Sequence, residues 1–104
     1  ENGEELPGEF LLHQNYPNPF NPSTHVLFDL HSRSNVRLTI YKMLGQQVIS
    51  LVSETLPAGR HEAEWNGRCA DGAGLASGMY VMRLDVEAES GEKGSQSRMM
   101  LLLR

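Results

Sequence analysis

The chain has 104 residues, 39% of them hydrophobic and 7% aromatic, the size of one ordinary domain that can bury its own core without a metal or a disulfide. A lone cysteine, Cys69, excludes an internal disulfide and the cysteine clusters of zinc or iron–sulfur sites, and it leaves the compartment open. Nine Lys+Arg, placed singly, against thirteen Asp+Glu give a net charge of -4, which excludes the basic stripe that a nucleic-acid partner needs.

Residues 1–9, with Glu1, Glu4, Glu5 and Glu9, two glycines, Pro7 and a single large apolar side chain, have the composition of a linker from a preceding cargo domain. Glu1 is not an initiator methionine and no signal peptide opens the chain, so the expectation is a module cut from a longer protein. The domain proper is read as 10–104. Phe10–Gln14 is a short opening strand. Pro17, Pro19 and Pro22 then stiffen the run Asn15–Thr24, and Pro22 also removes Asn21 as a glycosylation acceptor.

Val26, Phe28 and Leu30, then Val36, Leu38 and Ile40, alternate with their neighbours at period two, the mark of strands with one face on a core. Residues 31–35 form the turn between them. Gly45 serves a tight connection into a strand over 46–52, and Leu56-Pro57-Ala58-Gly59 is a second turn. His61, Ala63 and Trp65 share a face, with Trp65 inward and Glu62 and Glu64 outward. The loop 66–78 carries four glycines. Strands over 79–86 and 97–104 flank a polar tip at 88–96. The total is an all-β, immunoglobulin-like β-sandwich of about seven antiparallel strands. The longest apolar run, Met99–Leu103, is too short for a transmembrane helix.

Catalytic and metal chemistry find little support. His13, His25, His31 and His61 fall on different elements without ligand spacing, so no metal and no cofactor are expected. Asn66 and Asp71 lack the alternation of a calcium loop and read as turn formers. Ser77 has no nucleophile-elbow pattern, and Cys69 has only Arg68 as a cationic neighbour, so the chain is read as no enzyme. A sugar-binding face needs coplanar exposed aromatics, for which Tyr16, Phe20, Tyr41, Trp65 and Tyr80 are the candidates.

Asn15-Tyr16-Pro17-Asn18-Pro19-Phe20-Asn21-Pro22-Ser23-Thr24, followed by a strand, resembles the opening of the carboxyl-terminal sorting domains, type A, of the type IX secretion system of Bacteroidetes-like bacteria, a sandwich related to that of flagellar hook-capping proteins. Leu44-Gly45-Gln46-Gln47-Val48, Leu56-Pro57-Ala58-Gly59-Arg60-His61, Trp65-Asn66-Gly67, Ser77-Gly78-Met79-Tyr80 and Arg98–Arg104 continue the resemblance in order, although Lys42 and Gln46 stand where the family commonly has Asp and Arg. The resemblance implies a non-catalytic secretion signal. Its partners would be an outer-membrane translocon, a sortase-like peptidase that cuts in the 1–9 linker, and an amino-terminal cargo, glycosidases among them. Its course would run through the periplasm to the cell surface.

By the same resemblance Gly78, Tyr80, Met100, Leu102 and Arg104 are the expected recognition residues. Asn18, Pro19, Asn21, Pro22, Gly45, Gly59 and Trp65 are expected to be structural. An apolar last strand at a sheet edge would offer backbone groups for strand addition, by the translocon or by a second copy in an edge-strand homodimer. The alternative is a carbohydrate-binding, adhesion or spacer module appended to a secreted glycosidase.

Overall fold

The structure, a computed structural model, describes residues 10–104; the expected linker lies outside the described residues. Seven strands follow one another: β1 (Phe10–Leu12), β2 (Thr24–Leu30), β3 (Ser34–Lys42), β4 (Gln47–Leu56), β5 (Gly59–Trp65), β6 (Gly78–Ala88) and β7 (Lys93–Leu102). They form two antiparallel sheets, β1-β2-β5 and β4-β3-β6-β7. The all-β sandwich read from the alternation is thus the architecture found.

Each sheet buries the alternate side chains that the period of two selects. Val26, Phe28 and Leu30 of one sheet meet Val36, Leu38, Ile40, Tyr80, Met82, Leu84, Met100 and Leu102 of the other. Trp65, buried as expected, packs between Phe20 and Tyr80, tilted to the first and edge-on to the second, with ring centroids 5.5 Å from each. Its indole N–H donates to the Arg68 carbonyl at 3.0 Å.

Strand ends run further than hydrophobicity alone suggests. Ser34 and Asn35 belong to β3 rather than to the turn, and Lys93–Gln96 belong to β7 rather than to the tip. In both places the ladder continues because a neighbouring strand supplies partners: Ser34 pairs with Leu56 and Ala88, and Lys93 with Glu87. Hairpin pairing holds polar residues in strands that propensity would release. Gly45 and Gly59, with φ of 99° and 126°, occupy the left-handed region that their turns require.

The register sets which residues share each end of the strands. At one end Phe10 faces Leu30, Leu30 faces Gly59, and the Phe10 ring lies against Gly94. At the other end Thr24 faces Trp65, Lys42 faces Tyr80, and Gly78 faces Leu102. The chain enters the domain at the first end; the last strand closes at the second.

Candidate functional site

β7 is an edge strand, as the sequence suggests, yet its outer edge is covered. Asn18 Oδ1 accepts from the Leu101 amide at 3.0 Å, the Phe20 amide donates to the Leu101 carbonyl at 3.0 Å, and the Leu103 amide donates to the Phe20 carbonyl at 3.0 Å. Gln14 Nε2 donates to the Met99 carbonyl at 2.8 Å. Further along, the Leu12 amide donates to Gln96 Oε1 at 2.7 Å and Arg98 Nε to the Leu12 carbonyl at 3.0 Å. The segment 13–23 is therefore a strap across the closing strand.

Phe20 anchors the strap, because its ring is buried against Trp65. A second anchor is polar: buried Asn15 and Thr24 satisfy one another and the Pro17 carbonyl at 2.8 to 3.1 Å. Lifting the strap would expose Phe20 and orphan these groups. A strand added by a partner or a second copy would thus meet backbone already engaged at the Met99 carbonyl, at both Leu101 groups and at the Leu103 amide. On the opposite edge, β4, the Ala70 amide donates to the Val48 carbonyl at 3.3 Å, and the register against β3 slips by one residue twice, between Leu38 and Thr39 and between Ile40 and Tyr41. Such bulges disfavour an added strand.

Of the expected recognition residues, Tyr80, Met100 and Leu102 are buried in the core, so their side chains are out of reach of a partner that meets the folded domain. Burial pushes the Tyr80 phenol above its usual pKa, and its hydroxyl donates to the Ala76 carbonyl at 2.7 Å. Gly78 opens β6. The Arg104 guanidinium is spent on the 66–78 loop: Nε donates to the Leu75 carbonyl and Nη2 to the Gly67 carbonyl at 2.8 Å, while the Arg104 amide donates to Ser77 Oγ at 2.8 Å. Of the structural set, Asn18 and Trp65 make the contacts given above, Pro19, Asn21 and Pro22 are exposed along the strap, and the Pro22 carbonyl lies close to Gly67.

What the sequence reading missed is the outer face of the larger sheet. Register aligns Tyr41, Val81 and Met99 in one row, and Met79 and Leu101 in the next. All five are at least partly exposed, so this half of the outward face is apolar. The other half is polar: Arg37, Asp85 and Ser95 form one row, and Asn35, Glu87 and Lys93 another, lining a depression of about 380 Å³. Asp85 accepts from Arg83 Nε at 2.9 Å and from Ser95 Oγ. The signal was present in the odd-numbered positions of 79–103, which read Met, Val, then Met, Leu, Leu, but only the register shows that they adjoin.

The five candidate aromatics do not make a platform, since Phe20, Trp65 and Tyr80 are core and Tyr41 is half-buried. Among the described residues no three His, Cys, Asp or Glu side chains are grouped to hold a metal ion, and no helix is long and apolar enough to cross a membrane.

Residues 20–92 match the family described as the FlgD Ig-like domain. No curated relative matches the chain. Among solved structures it is similar to latent dimeric PorU from Porphyromonas gingivalis, with a TM-score of 0.73 and 20% identity over 90% of this chain and 9% of that one. It is also similar to FlgD from Xanthomonas campestris, described in connection with the hook capping essential for flagellar assembly, with a TM-score of 0.64 and 21% identity over 89% of this chain and 69% of that one. PorZ of P. gingivalis, described as an essential surface component of the type-IX secretion system, gives 0.59 and 24% over 88% of this chain and 11% of that one. The chain thus spans about a tenth of the PorU and PorZ chains.

Proposed function

The chain belongs to the FlgD Ig-like domain family, and from that premise we propose that it is a non-catalytic sorting domain of the type IX secretion system, of type A. It addresses a cargo carried ahead of Phe10 through the outer membrane to the cell surface, and its partners are the translocon and a sortase-like peptidase. The likeness to PorU and PorZ supports this reading.

One observation carries it. Much of the sequence resemblance converges on the closing strand: Asn18 and Phe20 cover its edge, Trp65 packs against Phe20 and Tyr80, and Ser77 and Arg104 tie its end to the 66–78 loop, while Gly45 and Leu56–His61 serve turns elsewhere. The opening, the 65–80 motifs and the close of the signature thus form one structural unit. That unit presents Met79, Val81, Met99 and Leu101 outward as the surface for the translocon.

The test is surface delivery of a fluorescent passenger fused ahead of residues 1–104 in a type IX-competent host. Met79→Ser with Met99→Ser, both exposed, should abolish delivery while circular dichroism stays unchanged. Deleting Met99–Arg104 is a weaker test, because it removes the buried Met100 and Leu102. Absence of delivery from the intact domain would turn the assignment to a spacer or carbohydrate-binding module.

A further inference from the structure

Two open sheets have four edges, and three of these are obstructed. β7 lies under the strap, β1 is held against Gln96 and Arg98 of β7, and β4 is bulged twice. The fourth is β5, which pairs with β2 from Gly59 to Trp65 without a slip in register and has no strand on its other side. Among the described residues it is the edge that stays continuous and uncovered.

Which backbone groups β5 leaves free follows from the far side of β2. The His25 amide and carbonyl both bond to Tyr16 at 2.9 Å, and the Leu27 carbonyl accepts from the His13 amide at 3.0 Å, so both residues turn their backbone away from β5. Their register partners, Glu64 and Glu62, therefore make no ladder bond with them, and by the alternation of an antiparallel pair neither does Arg60 with Asp29. The amides and carbonyls of Arg60, Glu62 and Glu64 all point outward from the edge. An extended polypeptide is the ligand that completes such a row.

The side chains around the edge define that polypeptide further. Guest side chains that alternate inward would enter the gap between β5 and β4, a depression of about 360 Å³ lined by Ile49, Leu51, Glu64, Trp65 and Asn66. Ile49 and Leu51 are half-buried there against the core, so apolar residues suit these positions. Guest side chains that alternate outward would lie beside Arg60, Glu62 and Glu64, all exposed. Arg60 is paired with Asp29 at 2.8 Å and Glu62 with His25 at 2.6 Å, while Glu64, and Glu54 on β4, have no partner among the described residues. Arg68, beyond Asn66, donates to the Gly72 carbonyl at 2.9 Å. Asp29, Glu54, Glu62 and Glu64 thus stand against the single guanidinium of Arg60, and Lys or Arg suits the outward positions.

We infer that β5 receives, as an added strand, an extended segment of another protein in which apolar residues alternate with Lys or Arg. This edge belongs to the smaller sheet, whereas Met79 and Met99 lie on the outer face of the larger one. The two surfaces can therefore be tested apart.

The experiment is calorimetric titration of the 1–104 chain with a terminally blocked peptide of alternating valine and lysine, read beside amide hydrogen exchange. In the free chain the amides of Arg60, Glu62 and Glu64 should exchange faster than those of His61 and Ala63, and the peptide should slow them. Glu64→Pro removes an amide that β2 does not use, so it should weaken binding roughly tenfold with thermal unfolding unchanged, and Leu51→Lys in the gap should do the same. A valine–glutamate peptide should bind at least roughly tenfold more weakly, whereas Met79→Ser with Met99→Ser should leave binding as it is. No binding at about 1 mM peptide, equal binding of the valine–glutamate peptide, or full binding by Glu64→Pro overturns the assignment. A chain that is already dimeric, with these three amides protected in the absence of peptide, gives the edge to a second copy and overturns it as well. Passenger delivery reads Met79 and Met99 separately, so failure here leaves the sorting role standing.

Discussion

Gly94 stands where β7 meets the entry end, and a Cβ there would lie 2.8 Å from Cε1 of Phe10. Gly94→Ala should therefore displace the ring and cost about 1–3 kcal/mol in chemical denaturation, an overpacking effect. Thr39 presents the opposite situation: fully buried, with no partner for its hydroxyl among the described residues. Thr39→Val keeps the shape and removes the orphan, and should be neutral or stabilise by up to about 1 kcal/mol in the same assay. Asp29 is held by Arg60 Nε at 2.8 Å and by His13 Nε2 at 2.7 Å, and the Arg60 hydrogen bond foremost lowers its pKa from 3.8 to about 2. A carboxylate that is more acidic folded than unfolded stabilises fully above 3.8, and that contribution drains away as pH falls toward 2. Urea midpoints across this window should fall less steeply in Asp29→Asn than in the parent.

The strap is the element on which the closing strand depends. Phe20→Ala should cost about 3–5 kcal/mol, and amide exchange at Leu101 and Leu103, whose acceptors are Asn18 Oδ1 and the Phe20 carbonyl, should accelerate before the rest of β7. Uniform exchange along β7 in that variant would show that the strap does not hold the edge. The strands themselves were legible because alternation is a local property: Val26, Phe28 and Leu30, or Val36, Leu38 and Ile40, announce their inward face from adjacent residues, and Trp65 fell inward on the same count. The strap's role was not legible. Its proline spacing marks stiffness, but that Phe20 pairs with Leu102 depends on a contact between opposite ends of the chain. For the same reason the apolar half of the outer face was hidden, since Tyr41, Val81 and Met99 come from three strands and adjoin only in the observed register.

For the whole molecule, the order in which the chain meets itself runs from the first strand to the last. Removing Met99–Arg104 deletes two core side chains and the strap's partner, so the truncated chain should lose cooperative thermal unfolding rather than merely a surface. The contacts that seal this side of the sandwich, from Leu12 to Gln96 and Arg98 and from Asn18 to Leu101, join residues 83 to 86 positions apart. Closure of that kind is slow, because long-range pairing must be ordered before it is rewarded. During synthesis β1 and the strap wait, with Phe20 unburied, until β7 has been made. A chain interrupted anywhere upstream has no finished sandwich to display. The covered edge therefore acts as a certificate: whatever reads the closed domain reads, in the same act, that every strand from β1 to β7 has been made.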